Sequence, residues 1–155
     1  LYLDTLKGWC DENLGRSFMQ NRGRAMALLQ KEAELQEIVK LVGQDALSAA
    51  DRLTMETAKM LREDFLQQNA FVDEDAYSSY GKQFELMDLI LSFDEMSRAA
   101  LEKGADMKAL FAIPSKAKIG RAKMVAPDKY KEEYAEILAG MKAEIEAVIE
   151  GGEDA

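Results

Sequence analysis

The amino-acid sequence predicts an all-α fold, a helical bundle of about five to seven helices with short connections. Three observations favour this class. The 155 residues include only two prolines, apolar residues recur at helical spacing, and the β-branched residues never gather into an alternating run. A composition of 48% hydrophobic and 32% charged residues is typical of a soluble globular domain, not of a disordered chain. The length suffices for a hydrophobic core of its own.

The predicted helices follow from the spacing of apolar residues and from the residues that end helices. In chain order they cover residues 1–13, 17–42, 49–68, 75–103, 106–112, 115–124 and 127–150. Gly43 and Gly104 stand where a C-cap glycine is expected. Ser48, three residues before Asp51, is typical of a helix N-cap. Gly81 is predicted to interrupt the fourth helix near its start.

Two helices carry long apolar stripes that predict core positions. The stripe of the second helix comprises Ala25, Leu28, Leu29, Leu35, Ile38, Val39 and Val42. The stripe of the last helix is the most regular and comprises Tyr130, Tyr134, Ile137, Leu138, Met141, Ile145, Val148 and Ile149. The chain is predicted to divide into a bundle over residues 1–112, a helical extension over residues 113–150 and a disordered tail over residues 151–155. Because it opens on Leu1 in helical register, we expect it to be an excised piece of a longer protein.

Composition excludes several kinds of chemistry. The absence of His removes Ser-His-Asp and Cys-His nucleophile pairs, and a lone Cys10 excludes an internal disulfide and a cysteine zinc site. None of the ten glycines forms a phosphate-binding loop. A net charge of −9 argues against nucleic acid as a partner, and no apolar run approaches the ~20 residues that span a bilayer. We therefore assign no catalytic residue and no metal site, and expect no direct membrane insertion.

The most distinctive stretch of the sequence covers residues 64–71. Phe65 and Phe71 flank two glutamines and an asparagine, among them Gln68 and Asn69, where a helix gives way to a loop. Aromatic faces accept a flat heteroaromatic ring, and amides can bind its polar edge. The alternative is structural: Phe65 belongs to the core and Phe71 packs back on the helix end.

Two further stretches have a functional and a structural interpretation. Residues 44–52 form a polar turn between two long helices, either the presented tip of a helical hairpin or a solvated connection. Residues 116–131 carry six basic side chains and one acid. This basic stretch is either a docking strip for an acidic partner or a solvated face.

Four blocks of the sequence together match one known family. The blocks are Leu1–Asp4 with Trp9, Leu28–Gly43, Asp51–Thr54 leading into Asp64–Phe71, and Leu89–Leu91 with Ala100–Gly104. They resemble the C-terminal helical domain of the catalytic A-subunit (alpha chain) of V-type (archaeal and bacterial A/V-type) rotary ATPases. The resemblance covers residues 1–104 well and weakens after residue 106.

The resemblance implies a role within a larger machine. The parent protein would couple ATP hydrolysis or synthesis to proton or sodium transport across a membrane. The family's phosphate loop and catalytic acids lie upstream of Leu1, so Mg-ATP would bind the parent, and the fragment alone would hold no cofactor and hydrolyse no ATP. Its partners would be the B-subunit (beta chain) and other catalytic subunits in an alternating hexamer, and the central shaft. It would lie on the cytoplasmic face of the membrane, in a peripheral ATPase sector.

The resemblance also implies two sites. Aromatics of the F-type adenine pocket fall on Phe65 and Phe71, which with Gln68 and Asn69 would bind nucleotide in the parent only. A shaft-contacting acidic turn of the F-type relatives falls on Asp45, Ala46, Leu47, Ser48, Ala49, Ala50 and Asp51. Three of the five acids of that F-type turn are alanine here, which predicts a contact dominated by shape. The alternative is a free-standing helical adaptor that binds partner helices.

Overall fold

The computed structural model of the chain describes residues 17–66, 80–126 and 128–153. The predicted helix over residues 1–13 lies outside these residues. The described helices are α1 (Ser17–Val42), α2 (Ala49–Met60), α3 (Tyr80–Glu102), α4 (Met107–Phe111), α5 (Pro114–Ala122) and α6 (Tyr130–Glu153). A 3-10 turn, Gln44–Ala46, precedes α2, and a π-helical turn, Leu61–Leu66, continues it. The predicted all-α fold class is confirmed.

The helix ends follow the residues that predict them. Gly43 and Gly104 have φ of 88° and 90°, a conformation that disfavours residues with a Cβ. Ser48 Oγ accepts a hydrogen bond of 3.1 Å from the Asp51 amide, so the predicted N-cap is confirmed. Asp106 caps α4 in the same way, at 3.1 Å from the Ala109 amide.

Helix α3 lies at the centre of the bundle. It packs against α1, α2, α5 and α6, and its inward residues are fully or almost fully buried. These residues are Leu86, Leu89, Ile90, Leu91, Phe93 and Ala100. Residues of α5 and α6 belong to the same cluster, so the segment beyond residue 112 shares one core with the rest. None of the described helices combines the length and apolarity needed to cross a membrane.

Some sequence expectations require correction. Ile38 and Val42, predicted for the apolar stripe of α1, are 43% and 65% exposed, because the buried face of α1 ends near Leu35. Gly81 lies within α3 and does not interrupt it. The α6 helix continues to Glu153, so residues 151–153 of the predicted disordered tail are helical.

Candidate functional site

The candidate site is the turn between α1 and α2, which carries the seven residues of the predicted shaft contact. Within it, Asp45, Ala46, Ser48, Ala49 and Ala50 are exposed and Asp51 is half-buried. Leu47 differs, because its side chain is only 8% exposed and anchors the turn on the domain. The site therefore presents mostly small side chains, which lets a partner approach the backbone closely.

Local hydrogen bonds hold the shape of this turn. The Leu47 amide donates to Gln44 O at 3.0 Å, closing the 3-10 turn. Arg52 Nη2 donates to Gln44 O at 3.2 Å and to Asp45 Oδ1 at 3.3 Å. Because Asp45 is exposed, this ion pair contributes little free energy, although the bond to Gln44 O fastens the start of α2 to the start of the turn.

A second set of hydrogen bonds connects the turn to α3. Asp94, which is 5% exposed, accepts a bond from Thr57 Oγ1 at 2.8 Å and one from Arg98 Nη2 at 2.9 Å. The Arg98 guanidinium also donates to Thr54 Oγ1 at 3.1 Å and to Ala50 O at 3.4 Å. Sequence reasoning missed Asp94 and Arg98. Their four-residue spacing predicts an ion pair on α3, but not the bonds from Arg98 to α2.

Apolar side chains are exposed beside the turn, on the last turns of α1. Leu41 is 84% exposed, and Ile38 and Val42 lie on the same side of the helix. We call these three residues the apolar ledge. Their nearest charged neighbours along α1, Glu37 and Lys40, pair with each other at 3.4 Å. Clustered exposed apolar side chains are typical of a surface that meets a partner.

A groove of about 330 Å³ lies beside the turn, lined by residues of α1, α2 and α4. Arg52 and Arg62 contribute to its wall, but each is paired with a carboxylate. Arg62 Nη2 lies 2.6 Å from Glu32 Oε2, and Arg52 pairs with Asp45. The two arginines are thus already neutralised within the chain, and we assign no ligand to this groove.

The predicted adenine pocket lies mostly outside the described residues. Phe65 is part of the π-helical turn Leu61–Leu66, while Gln68, Asn69 and Phe71 lie beyond it, outside the described residues. The backbone of the π-helical turn is held by Lys123, whose Nζ donates to Glu63 O at 3.2 Å. The assignment of these four residues to a nucleotide site stays a prediction.

Two lysines of the basic stretch, residues 116–131, bind groups of the same chain. Lys116 Nζ pairs with Glu56 Oε1 at 2.7 Å, and Lys123 binds the Glu63 carbonyl. Lys118 and Arg121 are exposed and border a groove that also contains carboxylates of α6. This mixture of charges fits packing of α5 on α6, and docking of an acidic partner on this stretch stays a prediction.

Side chains at the contact between α3 and α6 have raised pKa values. Burial raises the pKa of Glu85, an effect that the positive charge of Lys131 opposes. Burial also raises the pKa of Tyr134, whose hydroxyl donates to Ala122 O at 2.7 Å and so ties α6 to the end of α5. Among the described residues, no three Cys, Asp or Glu side chains are placed to hold a metal ion.

Sequence comparison defines the class of domain. The family model described as the C-terminal domain of V and A type ATP synthase matches residues 7–113. The chain belongs to this family, and the resemblance carried by the four sequence blocks is confirmed.

Curated relatives match almost the whole chain. The V-type ATP synthase alpha chain of Acetivibrio thermocellus is 48% identical over 149 residues, which are 96% of this chain and 25% of the relative. The alpha chain 1 of Clostridium tetani is 45% identical over 152 residues, 98% of this chain and 26% of the relative. The A-subunit of the A-type ATP synthase of Methanosphaera stadtmanae is 44% identical over 137 residues, which are 88% of this chain and 23% of the relative. The chain thus spans about a quarter of the length of these relatives.

Proposed function

We propose that the chain is the C-terminal helical domain of the catalytic A-subunit (alpha chain) of a V/A-type rotary ATPase, where it supports the nucleotide site and contacts the rotating central shaft. The parent couples ATP hydrolysis or synthesis to transport of protons or sodium ions across a membrane. The parts of the parent outside this chain bind Mg-ATP and carry out the phosphoryl chemistry. Family membership and relatives over nearly the whole chain support this proposal over a free-standing adaptor.

The observation that carries the shaft contact is the construction of the turn between α1 and α2. Two packed helices support it, local hydrogen bonds fix its shape, and Leu47 anchors it from below. A turn held in this way can be displaced as a unit without deforming, which force transmission between a nucleotide site and a shaft requires.

The surface chemistry of the tip supports contact by shape. The apolar ledge adds Ile38, Leu41 and Val42 to the alanine-rich turn, and Asp45 and Asp51 are its remaining acids. A partner surface with apolar side chains would bury the ledge with a favourable free energy. We propose that the shaft presents such a surface, and that the acids contribute little.

We propose that the other end of α2 faces the nucleotide site of the parent. Helix α2 and the π-helical turn run without a break from Ala49 to Leu66, so one continuous element separates the turn from the segment with Phe71. We propose that Phe65, Gln68, Asn69 and Phe71 line the adenine pocket of the parent. Nucleotide binding at that end would then tilt α2 and displace the turn.

The proposed assembly follows from the same family. The domain would neighbour the B-subunit (beta chain) and other catalytic subunits in an alternating hexamer, in the peripheral sector on the cytoplasmic face of the membrane. The tip of the hairpin would point inwards, towards the shaft.

Cysteine cross-linking in the whole complex tests the shaft contact. Cys10 is first replaced by Ser, and Ala49→Cys or Ala50→Cys is introduced into the exposed turn. The control is Ala135→Cys, an exposed alanine of α6 that borders the same groove as Asp88. Asp88 lies ten residues before Arg98 on α3, and Arg98 binds Ala50 O, so the control is about 15 Å from the turn along α3 at 1.5 Å per helical residue.

We expect a covalent product with the shaft from positions 49 and 50, and none from position 135. The covalent cross-link should also stop ATP-driven rotation in the turn variants only. An assembled, active complex in which neither turn cysteine reacts with the shaft would mean that the turn is only a connection.

A further inference from the structure

The guanidinium of Arg98 pairs with Asp94 on its own helix, α3, but also extends to acceptors on α2. Its guanidinium lies beside the first turns of α2, where the helix macrodipole disfavours a positive charge. The buried carboxylate of Asp94 compensates this charge at 2.9 Å. The arrangement therefore depends on the acceptors that Arg98 reaches on α2, the Ala50 carbonyl and the Thr54 hydroxyl.

The other hydrogen bonds of the turn do not extend to α3, unlike the bond from Arg98 to Ala50 O. Arg52 binds Gln44 and Asp45, and Ser48 binds Asp51, so these bonds join residues of the turn to one another. They fix the shape of the turn but not its place on the bundle. Among the hydrogen bonds described for residues 43–52, the bond from Arg98 to Ala50 O is the one that reaches α3.

Asp94 adds a second connection between α2 and α3, and so makes the first one, from Arg98 to Ala50 O, more rigid. It is buried, and it binds Thr57 two helical turns from the start of α2 as well as Arg98 on its own helix. Two points of α2, near residue 50 and at residue 57, are thus tied to one helical turn of α3. A displacement of α3 along or across the bundle would be passed to the turn.

We propose that Arg98, held by Asp94, is the positioning residue that fixes the turn on α3 and so couples motion of the domain core to the shaft. This inference rests on the proposed shaft contact and adds to it the group that holds the contact in place. Arg98 itself touches neither nucleotide nor shaft in this proposal.

Three variants of the full-length catalytic subunit, in the assembled and reconstituted complex, test this role. Arg98→Met removes the guanidinium and keeps the aliphatic stem, and Arg98→Lys keeps the charge but not the fork that bridges Asp94 and Ala50 O. Arg24→Met is the matched control, because Arg24 also joins a neighbouring helix to α3, through Glu95 at 3.3 Å, with both side chains more exposed. The measurements are ATP hydrolysis, ions transported per ATP, and hydrogen exchange of the amides of residues 52–54.

We expect Arg98→Met to hydrolyse ATP at a rate near that of the unmodified complex and to transport fewer ions per ATP. Exchange at residues 52–54 should accelerate by about tenfold, the effect of losing a charge-assisted hydrogen bond locally. Arg98→Lys should give intermediate values of the ion-to-ATP ratio and of the exchange rate, and Arg24→Met should leave both of these quantities unchanged. A purely structural role would alter hydrolysis and transport in proportion and leave their ratio unchanged.

The inference is overturned if Arg98→Met and Arg98→Lys keep the ion-to-ATP ratio of the Arg24→Met control. Should Arg98→Met fail to assemble, Arg98→Lys alone decides by the same ratio. The cross-link from position 49, measured in parallel, separates the two proposals. A cross-link with an unchanged ratio refutes only the role of Arg98, whereas a missing cross-link in the otherwise unmodified complex refutes the shaft contact and the inference with it.

Discussion

Replacing Glu144 by Ala should destabilise the chain strongly, because this carboxylate caps the start of α5. Pro114 opens α5, and the Ser115 amide that follows it has no acceptor within the helix. Glu144 Oε1 accepts from that amide at 2.8 Å, and Glu144 Oε2 accepts from Ser115 Oγ at 2.8 Å. Ser115 is completely buried, so neither donor can turn to water when the carboxylate is removed.

The expected size of the effect follows from these two bonds. Each charge-assisted hydrogen bond contributes a net ~1.5 kcal/mol at the low end of its range, which suits a half-buried carboxylate. The loss of both lowers the free energy of unfolding by about 3 kcal/mol. With a urea m-value near ~2 kcal/mol/M, the unfolding midpoint would fall by about 1.5 M.

Urea unfolding followed by circular dichroism measures this shift, and a double-mutant cycle with Ser115→Ala isolates the pair. Ser115→Ala alone should cost about 1–1.5 kcal/mol, and the double variant should cost at least ~1 kcal/mol less than the sum. Glu146→Ala, on the exposed side of the same helix, should stay within about 0.5 kcal/mol of the unmodified chain. Equal midpoints for the Glu144 and Glu146 variants would refute the capping argument.

Four further predictions address stability, pH and the proposed sites. Gly23→Ala should raise the free energy of unfolding by ~0.5–1 kcal/mol, because an added Cβ meets nothing within 4 Å. Gly140→Ala should stabilise the chain less, or destabilise it, because its Cβ would lie 3.2 and 3.3 Å from two side-chain oxygen atoms. Urea unfolding compares the two variants. Glu85→Gln should raise the urea midpoint at pH ~7. Since the raised pKa of Glu85 means that the folded state disfavours the ionised form, this gain should disappear as the pH falls below the ordinary value of 4.5, and an equal gain at pH ~3 would contradict it. Leu41→Ser should leave stability within about 0.5 kcal/mol and reduce the yield of the shaft cross-link; an unchanged yield would exclude the apolar ledge from the contact. Phe71→Ala should weaken nucleotide binding to the assembled complex by ~1–3 kcal/mol in a fluorescence titration, and unchanged affinity would return this residue to a structural role.

Sequence reasoning succeeded where local signals decide the structure. The end of α1 at Val42 follows from Gly43, and the start of α2 follows from the Ser48 cap. The buried face of α6 follows from the regular spacing of Tyr130, Tyr134 and the aliphatic residues after them. In these elements the helical period and the capping residues give the same answer.

It failed where the outcome depends on what lies across the bundle. Ile38 and Val42 fit the helical period of a buried face, but no element covers that side of α1 among the described residues. The burial of Leu47 within an otherwise exposed turn, and the reach of Arg98 to Ala50 O, likewise depend on tertiary packing. The turn between α1 and α2 was thus predicted from the sequence, whereas the bonds from Arg98 that hold it on α3 were not, and its contact with the shaft stays a prediction.

The common core of α3, α5 and α6 has a consequence for how this domain can be divided. The family match ends at residue 113, yet Tyr134, Met141 and Ile145 of α6 fill the same cluster as Leu89 of α3. A chain ended at the family boundary would leave that side of α3 in water, as an apolar strip free to associate with other copies. The family model therefore ends inside the unit that shares one core, and recombination or gene fusion at residue 113 would cut through the hydrophobic interior.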